Sequence, residues 1–315
     1  AADSTILAVP IYHITGLSAL LALFISLGAS IWLQHRFNAP QVIGTLREQN
    51  ITFLHGSPTI FILLCQAARE QSASHPGDFP ALRTIACGAG HLSDGLINEL
   101  KTLFPHTAIQ PATIFPGDVW GSDKCGSSGQ AIPGLAITIR NDRQQLLPAG
   151  QIGHIWLKGD VVIREYWQHS ERRPSCDAQG WFCTGDLGYL DDEGWLYIKD
   201  RSKDMINRGG EKIYSLELEN ILSTYRGVRE VAVIPTPSPI YGEEPVAFIV
   251  PDGQHHLTSE EILGWLKVKI ARFKLPARII FTRVLPRTHN GKVSKQQLKT
   301  RLAESIITLS TEDKK

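Results

Sequence analysis

Up to about Thr107 the chain alternates short apolar runs, each ended by glycine or proline, with longer stretches whose apolar residues recur at helical spacing. The run from Ile6 to Ile11, interrupted by Pro10, reads as a buried strand delivering a loop. Ala29 to Leu33 reads as a second strand. Pro40 opens a helix over APQVIGTLREQN, ITFLHGSP is a third strand, and PTIFILLCQAAREQ is helical again. LRTIACGAG runs as a strand into a glycine turn, and HLSDGLINELKTLF is a helix with Ser93 as its N-cap. Strands alternating with helices predict a largely parallel sheet covered on both faces.

From Cys125 to Lys199 the pattern changes to short strands, AITIRND, GHIWLKG, VVIREYW and GWLYIKD, between Gly, Pro and Asp-Gly turns. That pattern suits an antiparallel barrel or sandwich. After Asp200 it changes once more. SLELENILSTY is a helix, VREVAVIPTP and EPVAFIVPDG are strands, SEEILGWLKVKIARF is a helix opened by an S-x-x-E-like cap, and ARIIFTRVL is a strand. At 315 residues the chain exceeds what one core usually fills. The expected fold class is therefore multi-domain α/β. It comprises a partial α/β sheet subdomain over residues 1–124, a small β-barrel subdomain over 125–200, a short link at 201–203 and an α+β domain over 204–315.

No Asp, Glu, Lys or Arg occurs between Ser4 and Gln34, and LSALLALFISLGASIWL has the length of a membrane span. Pro10, His13, Gly16, Gly28 and Ser30 interrupt that run, and no basic residue precedes it. It reads as strand, turn, buried helix and strand, with no stable membrane insertion.

Charge changes the picture little. The formal net charge is +1, and the 32 basic and 31 acidic residues are interspersed, which argues against a nucleic-acid partner and for a small molecule. Five cysteines without CxxC spacing argue against a disulfide framework and a zinc site. Reduced thiols and a cytoplasmic location are the expectation.

Candidate chemistry gathers from Gly180 to Glu219. GWFCTGDLG places Asp186 in a glycine-flanked turn, and Arg201 follows the strand GWLYIKD. Two hairpin turns would explain these residues. So would a carboxylate and a guanidinium that accept from and donate to the hydroxyls of a nucleotide sugar. RSKDMINRGGEKIY sets a charged link before Gly209 and Gly210, where backbone can approach closely or take positive φ. A hairpin turn or C-cap explains one of these glycines more readily than the whole string. PRTHNGKVSKQQL puts Lys292 after an Asn-Gly turn, either as a solvated surface lysine or as a cation delivered where charge develops on phosphorus.

PIYHITGL, the GAGHLS turn, KCGSSGQAIPG, GWFCTGDLG, KDRSKDMINRGGEKIYSLELE and NGKVSK follow one another in an order that resembles the ATP-dependent adenylate-forming superfamily. That superfamily holds acyl- and aryl-CoA synthetases, luciferases and the adenylation domains of peptide synthetases. The resemblance implies a two-step reaction. A carboxylic acid attacks the α-phosphate of ATP to give acyl-adenylate and pyrophosphate, with Mg2+ as cofactor, and the thiol of coenzyme A then displaces AMP. It implies that Asp186 and Arg201 bind the ribose and that Lys292 bridges carboxylate and phosphate oxygens. Lys203 would be the hinge on which a C-terminal lid domain turns, and Gly209 and Gly210 would line the pantetheine tunnel. Ala89, Gly90 and His91 would pack on adenine, and His13 would border the acyl pocket. A carrier-protein thiol is the alternative acceptor, and a noncatalytic nucleotide-binding or partner-binding remnant is the alternative outside enzymes.

Two departures limit the resemblance. The superfamily's phosphate loop lies upstream of the histidine motif and has no counterpart here, so the chain is expected to begin midway through a normal member. The Tyr-Gly-x-Thr-Glu motif that supplies a magnesium-linked glutamate belongs at Gln110 to Pro111 and does not occur in the sequence. These 315 residues alone are accordingly expected not to form acyl-adenylate.

Overall fold

The computed structural model describes residues 3–71, 79–88, 92–111, 124, 126–168, 171–288 and 291–312. The chain divides into two compact units, Ala1–Gly126 and Ser127–Lys315.

In the first unit β1 (Ser4–Leu7) leads through a π-helical stretch, Thr15–Ala22, into α1 (Leu23–Ser26). There follow β2 (Ser30–Leu33), α2 (Ala39–Glu48), β3 (Phe53–Gly56), α3 (Pro58–Glu70), β4 (Thr84–Cys87), α4 (Asp94–Leu103) and β5 (Ala108–Pro111). The five strands form a parallel sheet in the order β2-β1-β3-β4-β5. Local chemistry explains where its helices start. Asn38 accepts from the backbone N–H of Gln41 at 3.0 Å and Ser93 from that of Leu96 at 3.3 Å, while Pro40 and Pro58 occupy first-turn positions where no N–H is required.

Residues on either side of the sheet go to different cores. Ile6, Ile85 and Ile109 pack with Val42, Leu46, Phe61, Leu64 and Leu100 from α2, α3 and α4. Leu7 joins Leu20 and Phe24 on the other side. Burial of such a side chain stabilises by roughly 1.5–3 kcal/mol. The helix after β1 differs from the buried element that the apolar run suggests. Leu17, Leu23, Ile25 and Leu27 are exposed, because only the face carrying Gly16, Leu20 and Phe24 meets the sheet. Among the described residues no helix is long and apolar enough to cross a membrane.

The second unit opens with β6 (Leu135–Arg140), β7 (Gly153–Gly159), a hairpin of β8 (Glu165–Gln168) and β9 (Glu171–Pro174), β10 (Phe182–Leu190) and β11 (Leu196–Arg201). The barrel-like pattern of the sequence corresponds here to a four-stranded antiparallel sheet in the order β11-β10-β7-β6 with the hairpin apart from it. Val161 and Val162 precede β8 and lie outside the strand that VVIREYW suggests.

Next come β12 (Ile206–Arg208), β13 (Glu211–Ile213), α5 (Ser215–Ser223), β14 (Val228–Ser238), β15 (Gly242–Pro251), α6 (Ser259–Leu266), β16 (Arg278–Phe281) and α7 (Lys295–Glu312). Thr258, one residue ahead of the expected serine, caps α6 in a reciprocal box with Glu261. β14 and β15 alternate strictly. Val233, Ala247 and Ile249 face α5 and α6, whereas Ala232, Ile234, Val246, Phe248 and Val250 face Leu298 and Leu302 of α7. The sheet is thus covered on both sides, and α7 carries the chain back over it directly after Lys292.

Candidate active site

The second unit carries three of the expected residues and pairs two of them. Asp186 lies inside β10 and not in a turn, as a direct register partner of Arg201 on β11. Gly185, at φ +79°, lets the chain bulge without leaving the sheet, and the register shifts between Cys183 and Leu187. Arg201 Nε lies 3.1 Å from Asp186 Oδ1. Thr184 steadies the bulge, its hydroxyl accepting from the Asp186 N–H at 3.0 Å and donating to Ile155 O at 3.2 Å.

Burial pushes the Asp186 carboxyl above its ordinary range, opposed by Arg201, by Thr184 and by the charge of Lys292. Lys292 is exposed, on a turn closed by the Thr288 N–H donating to Lys292 O at 2.8 Å. Its charge nonetheless reaches the Asp186 carboxyl, more weakly than Arg201 and Thr184 do. Such groups can accept hydrogen bonds from sugar hydroxyls and neutralise anionic oxygens beside them.

The other expected residues stand apart. Lys203 is exposed on the turn after β11, in which Arg201 O accepts from the N–H groups of Asp204 and Met205. Gly209 and Gly210, at φ +60° and +97°, form the two-residue loop of the β12–β13 hairpin. A hairpin turn therefore accounts for both glycines. His13 belongs to the first unit, where its Nδ1 accepts from the Thr15 N–H at 3.3 Å. Ala89, Gly90 and His91 lie outside the described residues.

Other polar groups were not singled out from sequence. Asp200, only 1% exposed, accepts from the Ser215 N–H, from Ser215 Oγ at 3.1 Å and from the Arg201 N–H at 2.7 Å. Lys295 Nζ donates to Ser215 Oγ at 2.7 Å and pairs with Glu219 Oε1 at 2.7 Å. A signal was present. Lys295 shares the i, i+3, i+7 stripe of Leu298 and Leu302, and Ser215 shares that of Leu218 and Leu222. A lysine or serine on a core stripe needs an internal partner.

In the first unit His55 is buried, with Nδ1 lacking a hydrogen-bond partner. Burial, followed by the charge of His13, lowers its pKa to about 4.

Among the described residues no group of three His, Cys, Asp or Glu side chains is arranged to hold a metal ion.

A family model described as AMP-binding enzyme matches residues 1–167, and one described as AMP-binding enzyme C-terminal domain matches residues 217–292. The indoleacetate-CoA ligase of Aromatoleum aromaticum is 32% identical over 312 residues, covering 97% of this chain and 60% of that protein. The 2-succinylbenzoate-CoA ligase of Listeria monocytogenes is 33% identical over 309 residues, covering 95% of this chain and 62% of that protein. Among solved structures, ATP-bound MatB from Rhodopseudomonas palustris superposes with a TM-score of 0.82 at 28% identity, over 95% of this chain and 60% of that one. The chain spans about three fifths of the length of the relatives it matches. With the first family match alone running over more than half of its residues, the chain belongs to the AMP-binding enzyme family.

Proposed function

We propose that this chain works within an AMP-forming acid-thiol ligase of the acyl-CoA synthetase type, which activates a carboxylic acid with ATP and passes the acyl group to coenzyme A. The observation that carries the reading is the Asp186–Arg201 pair with the charge of Lys292 acting on the same carboxylate.

In the first step an acid oxygen bonds to the α-phosphorus of ATP and the bond to pyrophosphate breaks. Asp186 accepts from the ribose hydroxyls, Arg201 donates beside it, and Lys292 offsets the negative charge that carboxylate and phosphate oxygens bring together. In the second step the coenzyme A sulfur bonds to the acyl carbon, and the carbon–oxygen bond to AMP breaks. Lys203 is the hinge between the two arrangements, Gly209 and Gly210 line the path of the thiol, and His13 borders the acid. Magnesium, when bound, screens the phosphate charge. The names of the relatives span indoleacetate, 2-succinylbenzoate, feruloyl and long-chain fatty acids, which supports a carboxylic acid as substrate without selecting among them. A cytoplasmic location goes with the free thiols of Cys65, Cys87, Cys176 and Cys183.

Mass spectrometry of the full-length protein with ATP, magnesium, coenzyme A and a panel of acids tests the reading. AMP and acyl-CoA are the expected products. Acylation of a holo-carrier protein in place of coenzyme A would move the acceptor to that thiol, and AMP binding without either product would leave a nucleotide-binding remnant.

A further inference from the structure

Two segments must be held against each other for the proposed first step: the end of β11, which carries Arg201, and the turn before α7, which carries Lys292. A largely buried polar network joins the chain one residue from the first and three residues from the second. Asp200 is bonded by Ser215 through both N–H and Oγ, and Ser215 Oγ in turn receives Lys295 Nζ at 2.7 Å. Lys295 pairs with Glu219, whose Oε1 accepts from the Val233 N–H of β14 at 2.8 Å. One turn further along α7, Lys299 Nζ stands 4.0 Å from Asp204 Oδ1 in the loop after β11.

A role in stability alone does not account for this arrangement. Apolar replacement of a buried ion pair of similar volume is often neutral or stabilising, so the ionic form is a device for fixing geometry more than for adding energy. The neighbouring positions on the same stripes, Leu218 and Leu222 on α5 and Leu298 and Leu302 on α7, show that apolar side chains fill the cores on either side. One ammonium serves two carboxylates, the buried Asp200 and the partly buried Glu219. Burial raises the pKa of Asp200 and of Glu219, while Lys295, which burial alone would lower, is held above its ordinary value by Glu219 and then Asp200. Each member is bonded, and each bond has a direction.

We propose that Asp200, Ser215, Glu219 and Lys295 are positioning residues that hold the Lys292 turn in register with the Asp186–Arg201 pair, so that ammonium and sugar clamp meet the same nucleotide. The proposal rests on the function given above. Reactive groups misplaced by about 1 Å lose rate on the order of 100-fold, which sets the size of the expected effect.

The test compares Lys295→Met and Lys295→Arg with the wild type in the full-length protein, using three readouts: acid-dependent ATP–pyrophosphate exchange, AMP calorimetry, and hydrogen exchange of peptides covering residues 287–294 and 228–251. Lys295→Met is expected to lower the exchange kcat by about 100-fold while the AMP affinity stays within about twofold, since Asp186 and Arg201 remain in place. Hydrogen exchange is expected to rise in residues 287–294 and not in 228–251, and Lys295→Arg is expected to restore both rate and protection. Unchanged protection at 287–294, failure of arginine to rescue, or equal loosening of 228–251 overturns the proposal. If the wild type neither exchanges pyrophosphate nor binds AMP, the proposed function fails, and the hydrogen-exchange comparison still decides whether the network holds the turn.

Discussion

Arg201 and Asp186 face each other across the β10–β11 ladder, Nε to Oδ1 at 3.1 Å, in direct register. The arginine side chain is 57% exposed and the aspartate 25%, so solvent screens the pair and it contributes about 0–1 kcal/mol to stability. Under the proposed function its value lies in what it offers a ligand. Arg201→Ala is therefore expected to leave the melting temperature nearly unchanged while weakening AMP binding about tenfold or more, the loss of a charge-assisted hydrogen bond. Thermal melts and calorimetry on the same samples check this; parallel losses would make the pair a structural brace.

Acid should act on the same site earlier than on an ordinary aspartate. Burial holds the Asp186 carboxyl above its usual range, and only the ionised form is a pure acceptor for sugar hydroxyls. AMP affinity is expected to fall as pH drops through that raised pKa, starting above the ordinary aspartate value of about 3.9. Asp186→Asn should give a weak and flat profile. Calorimetry over that pH range decides, and a wild-type profile as flat as the variant's would remove Asp186 from nucleotide binding.

The parallel sheet was legible because apolar runs agreed with a proline or a cap at the starts of α2, α3 and α4: Asn38, Pro40, Pro58 and Ser93 all do locally what their chemistry suggests. The placement of Asp186 was not. A Thr-Gly-Asp string has the composition of a turn, and only the β7 and β11 ladders on either side keep it in a strand as a bulge. The exposed face of the helix after β1 was illegible for a related reason, since an apolar run does not say how much of its circumference finds a partner. The Asp200–Ser215–Lys295–Glu219 network joins residues far apart in the chain, and no window of sequence contains it. Its trace was the polar residue on an apolar stripe.

The two half-reactions should separate at two lysines. Lys292→Ala is expected to abolish pyrophosphate release while sparing thioester formation from preformed acyl-adenylate, because the proposed role of its ammonium lies in the phosphorus step. Lys203→Pro fixes φ on the turn after β11 and is expected to trap one domain orientation, so that one half-reaction suffers far more than the other. Rapid-quench measurement of each step in isolation checks both variants. Equal loss in the two steps would count against the role given to Lys292, and no change would end the hinge assignment.

His55 provides a prediction confined to the first unit. Its side chain is buried beside Phe53, within electrostatic reach of His13, and its pKa is lowered to about 4, mainly by burial. In the unfolded chain the same imidazole titrates near 6.5. The unfolded state therefore takes up the proton first. Neutral His55 has no effect on the pH dependence above that value, and stability is lost progressively as pH falls from about 6.5 to about 4. Below the folded pKa the loss is complete. A shift of this size corresponds to about 3 kcal/mol. Other groups titrate in the same range, so the quantity to measure is the difference between wild type and His55→Phe in urea melts across it. Phenylalanine keeps the aromatic contact without the titrating nitrogen, and the difference should grow by about 1.4 kcal/mol for each pH unit of acidification. A constant difference would mean that His55 is solvated or paired in the folded chain.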